Sequence, residues 1–302
     1  IPVIPMLGSV GASGDLTPLS YLASVLVGER EAYYEGDILP AGEALRRAGL
    51  TVHHFVPKES LAIMNGTAVM TAIGAISAVR MERTLAACEA ATALVAEVMF
   101  GRSQAFAPIA HRLKHHPGQI AAAGAIRSAL AGSRMIDSGK EEGRLIQDPY
   151  SIRCAPHVIG AARDGLTWVL KVLHRELNSV NDNPIVDPER GETVFAGNFY
   201  GGHVALAMDL VKIAAASVAD LVDRQFALLL DSRLNVGLPE TLVAYAGCGV
   251  KGLQITCSAL TALAVQRSAS DTVLSRPTEA SNQDKVRMGL NAALNAAEVI
   301  TL

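Results

Sequence analysis

The chain has 302 residues, of which 50% are hydrophobic and 18% charged, so it can bury a large core and is neither disordered nor collagen-like. Its formal net charge of −3 and the lack of a Lys/Arg block argue against binding to nucleic acid or to an anionic membrane. No apolar run approaches the ~18 residues of a membrane span, and the start lacks a basic segment followed by a hydrophobic one, so we expect a cytoplasmic protein.

Helices dominate the first half of the predicted structure. Residues 8–28 are predicted to form a loop followed by a helix, because Pro18 is tolerated in a first turn and a glycine stands at a natural stop. A short helix is predicted at residues 41–48. Ala-rich stretches with apolar residues at helical spacing predict longer helices at residues 67–100 and 115–131.

Two irregular segments interrupt the helical pattern of the second half. Residues 137–150 are predicted to form a charged loop, and residues 178–199 are crowded with Asn, Asp, Pro and Gly, which predicts an irregular excursion with at most one hairpin. Elsewhere, apolar side chains recur every three or four residues. The predicted helical tracts are residues 156–177, 203–230, 256–268 and 288 onward.

The whole pattern predicts a mainly α fold in which long helices form a bundle with irregular loops. Residues 1–302 contain no repeat, no linker and no alternation of strands with helices, so we expect a single helical domain. The chain opens on a Gly-rich loop and closes inside an Ala-rich helical pattern, so we expect it to be the central part of a longer polypeptide.

The opening loop, residues 8–15, reads GSVGASGD and does not fit the common catalytic loops. A dinucleotide loop needs G-x-G-x-x-G and a phosphate loop needs G-x-x-x-x-G-K-[ST], and neither spacing is present. A nucleophile elbow needs G-x-S-x-G, but Asp15 stands two residues after Ser13.

A third interpretation uses backbone chemistry. If the nitrogen of Gly14 attacks the carbonyl carbon of Ala12, a five-membered ring closes, and loss of two waters, one from the side chain of Ser13, leaves an exocyclic methylidene. A glycine in third place lets its nitrogen approach without a Cβ in the way, and Ala12 is small. Ala-Ser-Gly alone is weak evidence, since such tripeptides usually form plain loops.

Six sequence blocks, which follow one another along nearly the whole chain, support the third interpretation of this loop. Through them the chain resembles the histidine and phenylalanine/tyrosine ammonia-lyase family, whose architecture is shared with fumarase and aspartase. The blocks are GSVGASGDLTPLS (8–20), KESLAIMNGT (58–67), QDPYSIRC (147–154), NSVNDNP (178–184), GNFYG (197–201) and NQD (282–284).

The resemblance implies that Ala12, Ser13 and Gly14 become 4-methylideneimidazole-5-one (MIO) autocatalytically. Without pyridoxal phosphate an enzyme needs another electrophile to capture the amine and make it leave, and MIO supplies one. No metal is expected either. Adjacent histidines point in different directions, and the four irregularly spaced cysteines fit reduced thiols better than a zinc site or a disulfide framework.

The same resemblance assigns roles to side chains in the QDPYSIRC and KESLAIMNGT blocks. Arg153 would clamp the substrate carboxylate with its planar guanidinium, the alternative being an ordinary surface ion pair. Tyr150 lies one turn from Arg153 if the segment coils, and would help ring formation and proton handling; the alternative is a buried structural tyrosine. Gln147 and Asn65 carry amides suited to the amine, the carboxylate or the ring oxygen, although Asn65 could be a simple helix cap.

Further residues bear on the choice of substrate. Phe199 would form an aromatic wall against the substrate ring. Gln283 would contact the substrate. Histidine ammonia-lyases resemble NQED, whereas here Asp284 directly follows Gln283, which resembles the phenylalanine and tyrosine enzymes. Glu279 then becomes the candidate acidic group near the amine, where burial would raise its pKa; its alternative is a solvated loop carboxylate.

We therefore expect a carbon-nitrogen lyase that converts phenylalanine or tyrosine to a cinnamate-type acid. Three alternatives remain: an aromatic 2,3-aminomutase, a histidine ammonia-lyase and a non-catalytic helical assembly module. A fumarase-type lyase would need a Gly-Ser-Ser loop near Met-Pro-x-Lys, which is absent. The resemblance also implies a homotetramer, and it places the catalytic-base tyrosine in sequence that precedes Ile1.

Overall fold

The mainly α fold is confirmed by a computed structural model, which describes residues 1–139, 146–245, 247–274, 276 and 281–302. The helices are α1 (Leu16–Leu26), α2 (Ala41–Arg47), α3 (Glu59–Met64), α4 (Ala68–Val98), α5 (Pro108–Arg112), α6 (Pro117–Ala129), α7 (Tyr150–Arg153), α8 (Ala155–Leu177), α9 (Gly202–Leu230), α10 (Lys251–Arg267) and α11 (Gly289–Thr301). The strands are β1 (Glu31–Tyr34), β2 (Asp37–Pro40), β3 (Ile185–Asp187) and β4 (Glu192–Val194). Short 3-10 helices cover Ser103–Phe106 and Glu240–Leu242.

The long helices lie where apolar spacing predicts them, except that one helix begins earlier than predicted. Helices α4, α8 and α9 match the predicted tracts to within a few residues. Helix α10 begins at Lys251 rather than at residue 256. Among the described residues, no helix combines the length and the hydropathy needed to cross a bilayer.

An antiparallel hairpin of β1 and β2 and the short helix α3 were not predicted. Tyr34 pairs with Asp37, and the intervening Glu35 and Gly36 have φ angles of 49° and 95°. Positive φ at both central residues is the geometry of a two-residue hairpin turn that follows the strand twist. The hairpin predicted within residues 178–199 is present as β3 and β4, with Ile185 opposite Val194.

The chain divides into two compact units, each made of separate stretches of sequence. The first unit contains residues 1–76, 171–209 and 270–297, and the second contains residues 77–170, 210–269 and 298–302. A single domain over residues 1–302 therefore stays a prediction.

The first unit has its core on the inner faces of α4, α8 and α9. Met70, Leu173 and Met208 are almost completely buried. A Cβ added to Gly74 would lie 3.1 Å from Cδ2 of Leu173 and 3.2 Å from Sδ of Met208. The helices approach closely here because one of them offers no side chain.

The second unit combines an apolar cluster with a close helix crossing. The cluster contains Val95, Phe106, Ile126, Ile152 and Leu228, all buried. Where α6 crosses α8, a Cβ on Gly118 would lie 2.3 Å from the carbonyl oxygen of Gly160, so the two backbones are in contact.

Candidate active site

The Ala12–Gly14 tripeptide lies in a tight turn of the first unit. Gly11, Ser13 and Gly14 have φ angles of 91°, 50° and 75°, in the left-handed region that L-residues avoid. The amide of Gly14 donates to the carbonyl of Gly11 at 3.3 Å. Ser9 holds the same turn, because its Oγ donates to the Gly14 carbonyl and accepts from the Gly11 amide, both at 3.1 Å.

Gly14 fits against two other segments so closely that no side chain could stand there. A Cβ at this position would lie 2.1 Å from the carbonyl oxygen of Gly66 and 3.0 Å from that of Phe199. The amide of Gly66 donates to the Ser13 carbonyl at 3.2 Å, and the amide of Asp15 donates to the Gly66 carbonyl at 2.7 Å. This cradle fits the requirement for a glycine in third place, so these residues fit an internally formed ring.

A second close approach lies at the other end of the turn. A Cβ on Gly11 would lie 1.8 Å from the carbonyl oxygen of Arg287. The Arg287 side chain donates through Nε to Oη of Tyr200 and through a terminal nitrogen to the carbonyl of Thr272, each at 2.7 Å. Sequence reasoning missed this arginine, since no local pattern links it to the opening loop.

Asp15, directly after the tripeptide, precedes α1 and is fully buried against the first turn of α4. Its Oδ2 accepts from the amide of Met70 at 2.8 Å. Burial raises the pKa of the Asp15 carboxyl to about 7, while backbone hydrogen bonds from Met70 and Val69 partly counter that rise. One indication in the sequence that Asp15 belongs to the site is that this carboxylate stands between Gly14 and the apolar helix α1.

Asn65 precedes Gly66 in this arrangement and is nearly buried, with 9% of its surface exposed. Its Nδ2 donates to the carbonyl of Asn183 at 3.0 Å and to Oδ1 of Asp182 at 3.3 Å. The amide therefore bonds to the 182–183 segment and not to the first turn of α4.

The GNFYG block contacts the tripeptide through a backbone carbonyl group of the block. The carbonyl of Phe199 faces Gly14, and the Phe199 side chain is half-buried. Asn198 donates through Nδ2 to the carbonyl of Val180 at 3.0 Å, and the Tyr200 amide donates to the Gly197 carbonyl at 2.9 Å. The role of Phe199 as an aromatic wall stays a prediction.

Three further candidates lie in the second unit. Tyr150 and Arg153 share the single turn of α7, as predicted, and Cζ of Arg153 lies 4.4 Å from the centre of the Tyr150 ring. Tyr150 is 71% exposed, so the alternative of a buried structural tyrosine is wrong. Gln147 is exposed and lines, with Arg153, a cavity of about 210 Å³.

Arg153 is held by a backbone group. Its Nε donates to the carbonyl of Asp148 at 3.0 Å, and the Asp148 carboxylate accepts from the amide of Arg102 at 2.7 Å. Within the described ranges, Arg153 forms no ion pair with a carboxylate, unlike an ordinary surface salt bridge. Its terminal nitrogens remain suited to a planar carboxylate ligand.

The last two candidates receive less support from the structure. Glu279 lies outside the described residues. Gln283 lies in the first unit and is half-buried. The structure thus brings Ala12, Ser13, Gly14, Asn65 and Phe199 into one region of the first unit.

A mainly helical fold that holds an Ala-Ser-Gly turn in a backbone cradle defines a class of amino acid lyases. The family model described as aromatic amino acid lyase matches residues 1–302, and the chain belongs to this family.

Individual relatives act on different amino acids. The histidine ammonia-lyase of Anaeromyxobacter sp. (strain K) is 43% identical over 310 residues, covering 99% of this chain and 61% of the relative. A crystal structure of tyrosine aminomutase from Streptomyces globisporus has a TM-score of 0.91 at 34% identity, covering 99% of this chain and 60% of that one. Histidine ammonia-lyase from Trypanosoma cruzi has a TM-score of 0.90 at 32% identity, covering 100% and 56%. The chain thus spans about three fifths of the length of the curated relatives that it matches.

Proposed function

We propose that the polypeptide containing this chain is an MIO-dependent ammonia-lyase that acts on an amino acid with an aromatic side chain. The observation that carries the proposal is the cradle of Gly14. The space that a Cβ of Gly14 would need is filled by the carbonyls of Gly66 and Phe199. Both Ser13 and Gly14 have a backbone φ in the left-handed region. A plain surface loop has no need of such confinement, whereas closure of the tripeptide on itself does.

Ala12, Ser13 and Gly14 would hold the group as part of the backbone, and MIO would supply the electrophile that captures the substrate amine. The chain's other residues bind and orient. Arg153 offers terminal nitrogens to the substrate carboxylate, and Tyr150 offers an exposed hydroxyl for proton transfer. No metal and no pyridoxal phosphate enter the proposal.

Histidine is the substrate that we propose first. The NQD block favours phenylalanine or tyrosine, but curated relatives at 38–43% identity are histidine ammonia-lyases, and this similarity covers 99% of the chain. Similarity along the whole chain outweighs one three-residue block. The expectation of phenylalanine or tyrosine is therefore not confirmed, and the histidine alternative has better support.

An enzyme that acts on phenylalanine or tyrosine, either a lyase or a 2,3-aminomutase, remains the second candidate. One observation favours it: Asp284 directly follows Gln283 where histidine ammonia-lyases resemble NQED. The fold does not separate the candidates, because it superposes on tyrosine aminomutase and on histidine ammonia-lyase with TM-scores of 0.91 and 0.90.

One experiment separates these candidates. The full-length polypeptide is incubated with histidine, phenylalanine and tyrosine in turn, and the products are separated by chromatography. A heteroaryl acrylate from histidine supports the first proposal, an aryl acrylate the second, and a β-amino acid the aminomutase. Intact mass should show the loss of two waters in the unmodified protein and not in a Ser13→Ala variant. An unchanged mass together with intact activity would overturn the chemistry.

We also infer a cytoplasmic homotetramer. Large apolar side chains of the second unit stand in solvent in the single chain: Leu94, Leu253 and Ile255 are 63%, 62% and 63% exposed. Surfaces of this kind usually pack against another subunit. Light scattering of the full-length polypeptide should give four times the mass of one chain, and a monomer would contradict the inference.

A further inference from the structure

Two backbone carbonyls from distant parts of the chain close the two ends of the tripeptide turn. The Phe199 carbonyl oxygen lies 3.0 Å from the Cβ position of Gly14, and the Arg287 carbonyl oxygen lies 1.8 Å from that of Gly11. We call residues 199–201 and 287–289 the flanking segments. The room available to the turn therefore depends on where the two flanking segments lie.

The side chain of Arg287 connects the flanking segments. Its Nε donates to Oη of Tyr200 at 2.7 Å, and Tyr200 directly follows Phe199 in the chain. Cζ of Arg287 also lies 6.0 Å from the centre of the Tyr200 ring. Both side chains are half-buried, so water competes only in part for this hydrogen bond. One arginine thus joins the segment at Gly14 to the segment at Gly11.

The second acceptor of Arg287 is itself held in place. A terminal nitrogen of the guanidinium donates to the carbonyl of Thr272 at 2.7 Å. The carboxylate of Asp209, which is 2% exposed, accepts from the backbone amides of Asp271 and Thr272 at 2.9 and 3.0 Å. Movement of Thr272 would break these bonds to a buried charged group, which is costly. Thr272 therefore anchors one edge of the planar guanidinium, and the Nε that faces Tyr200 is fixed with it.

The flanking segments also pack side by side on Met70 of α4. A Cβ at Gly289 would lie 2.5 Å from Sδ of Met70, and a Cβ at Gly201 would collide with the same sulfur atom. The Cβ position of Gly289 is also 3.4 Å from the carbonyl oxygen of Gly201. Because backbone packing already brings the segments together, loss of the Arg287 side chain should loosen their contact with the turn without unfolding the unit.

We propose that Arg287 and Tyr200 are positioning residues for ring formation, which hold the flanking segments against the turn while it closes. This inference rests on the proposed function and extends it to how the site matures. In the closure the Gly14 nitrogen bonds to the Ala12 carbonyl carbon, whose oxygen leaves as water with the amide hydrogens of Ser13 and Gly14. The Ser13 hydroxyl leaves with its own Cα hydrogen as the second water. Such a reaction is fast only when the two reacting atoms are held close together.

Timed measurements of intact mass test this role. The full-length polypeptide is made by cell-free synthesis, samples are denatured in acid at intervals, and the fraction of chains lighter by two waters is followed. Arg287→Met keeps the aliphatic stem without a donor and should slow ring formation about tenfold, because fewer chains hold the bent conformer. Tyr200→Phe loses only the acceptor atom and should slow it about threefold, since the bond between Arg287 and Thr272 remains.

Two further variants show whether Arg287 and Tyr200 act together. The double variant with Tyr200→Phe and Arg287→Met should be no slower than Arg287→Met alone, because the shared hydrogen bond is already absent. Arg287→Lys should recover only part of the rate, since an ammonium group is a point donor and does not span two acceptors as the planar guanidinium does.

A matched variant controls for a general loss of stability. Arg30→Met removes another contact between an arginine and a tyrosine of the first unit, in which Cζ of Arg30 lies 4.1 Å from the centre of the Tyr21 ring. It should leave the rate of ring formation unchanged. Unfolding midpoints are compared in a Ser13→Ala background, where no ring forms. In all variants kcat per ring-containing site should stay within about twofold of the parent value, because the finished ring is covalent.

Four results would count against the positioning role. Ring formation in Arg287→Met at the parental rate would overturn this inference and leave the proposed function intact, whether or not kcat per ring falls. Single effects that multiply in the double variant would mean that Arg287 and Tyr200 act separately. Equal slowing in Arg30→Met would mean that ring formation responds to general destabilisation. If the unmodified polypeptide never lost two waters, the proposed function would fail, and this inference with it.

Discussion

The two groups of candidate residues are held in opposite ways. The tripeptide turn of the first unit is fixed by backbone contacts on both sides, so that neither Gly11 nor Gly14 has room for a methyl group. The α7 group of the second unit is more open to solvent, with Tyr150 71% exposed and Arg153 half-buried. Confinement suits a group that must react with its own chain, whereas exposure suits side chains that meet a ligand.

Adding one methyl group to the confined turn should have the largest effect. Gly14→Ala places a Cβ 2.1 Å from the Gly66 carbonyl at a φ of 75°, so backbone must move and ring closure should fail. We expect no loss of water by intact mass and at least a ~10³-fold drop in kcat, since the electrophile that captures the amine is missing.

A matched control distinguishes the backbone strain of a positive φ from the steric clash of the new Cβ. Gly36→Ala creates a similarly strained residue at a φ of 95°, but no atom lies within 4 Å of the new Cβ. It should cost about 1–2 kcal/mol of stability and leave ring formation intact. Equal effects of the two variants on ring formation would show that the cradle around Gly14 is irrelevant.

The buried carboxyl next to the turn should make stability depend on pH. Because the pKa of Asp15 is raised from 3.8 to about 7 by burial, the folded state holds a proton that the unfolded state has lost between these values. Its contribution to stability is therefore complete below pH ~4 and declines as pH rises to about 7, by roughly 4 kcal/mol at most.

Asp15→Asn removes this titration while keeping an acceptor for the Met70 amide. Denaturant unfolding of both proteins from about pH 4 to about pH 8 should show the variant gaining stability relative to the unmodified protein as pH rises. A difference that does not vary with pH would mean that Asp15 is ionised throughout.

Changes in the exposed group should have smaller effects, confined to ligand binding. Arg153→Lys removes the planar fork and the stacking on Tyr150, and we expect KM to rise about 10–100-fold with little change in ring content or melting temperature. Arg233→Lys, at a residue 85% exposed and bonded to Asp231, should leave KM unchanged. A loss of ring content in Arg153→Lys would contradict the prediction that the α7 group acts only in ligand binding.

The sequence predicted what depends on local spacing. Helices α4, α8 and α9 follow from apolar periodicity, and the shared turn of Tyr150 and Arg153 follows from their three-residue spacing. The need for glycine in the third position of the tripeptide follows from the geometry of ring closure.

The contacts that define the site could not be predicted, because they join distant stretches of the chain. Asp15 bonds to Met70 across 55 positions, and Lys58 bonds to Asp182 across 124. Such pairings depend on how helices pack, which periodicity does not encode. The β1–β2 hairpin was missed for a different reason: the positive φ of Glu35 falls on a residue that rarely adopts it.

The confinement of the turn extends to Gly66, which has a φ of 118° and whose Cβ position lies 2.9 Å from Cβ of Asn181. For anyone engineering this protein toward new amino acids, Gly11, Gly14 and Gly66 therefore form a frame that tolerates no added side chain. Combinatorial libraries should leave it untouched and place their diversity at Ile146 and Gln147, two exposed residues that line the cavity beside Arg153.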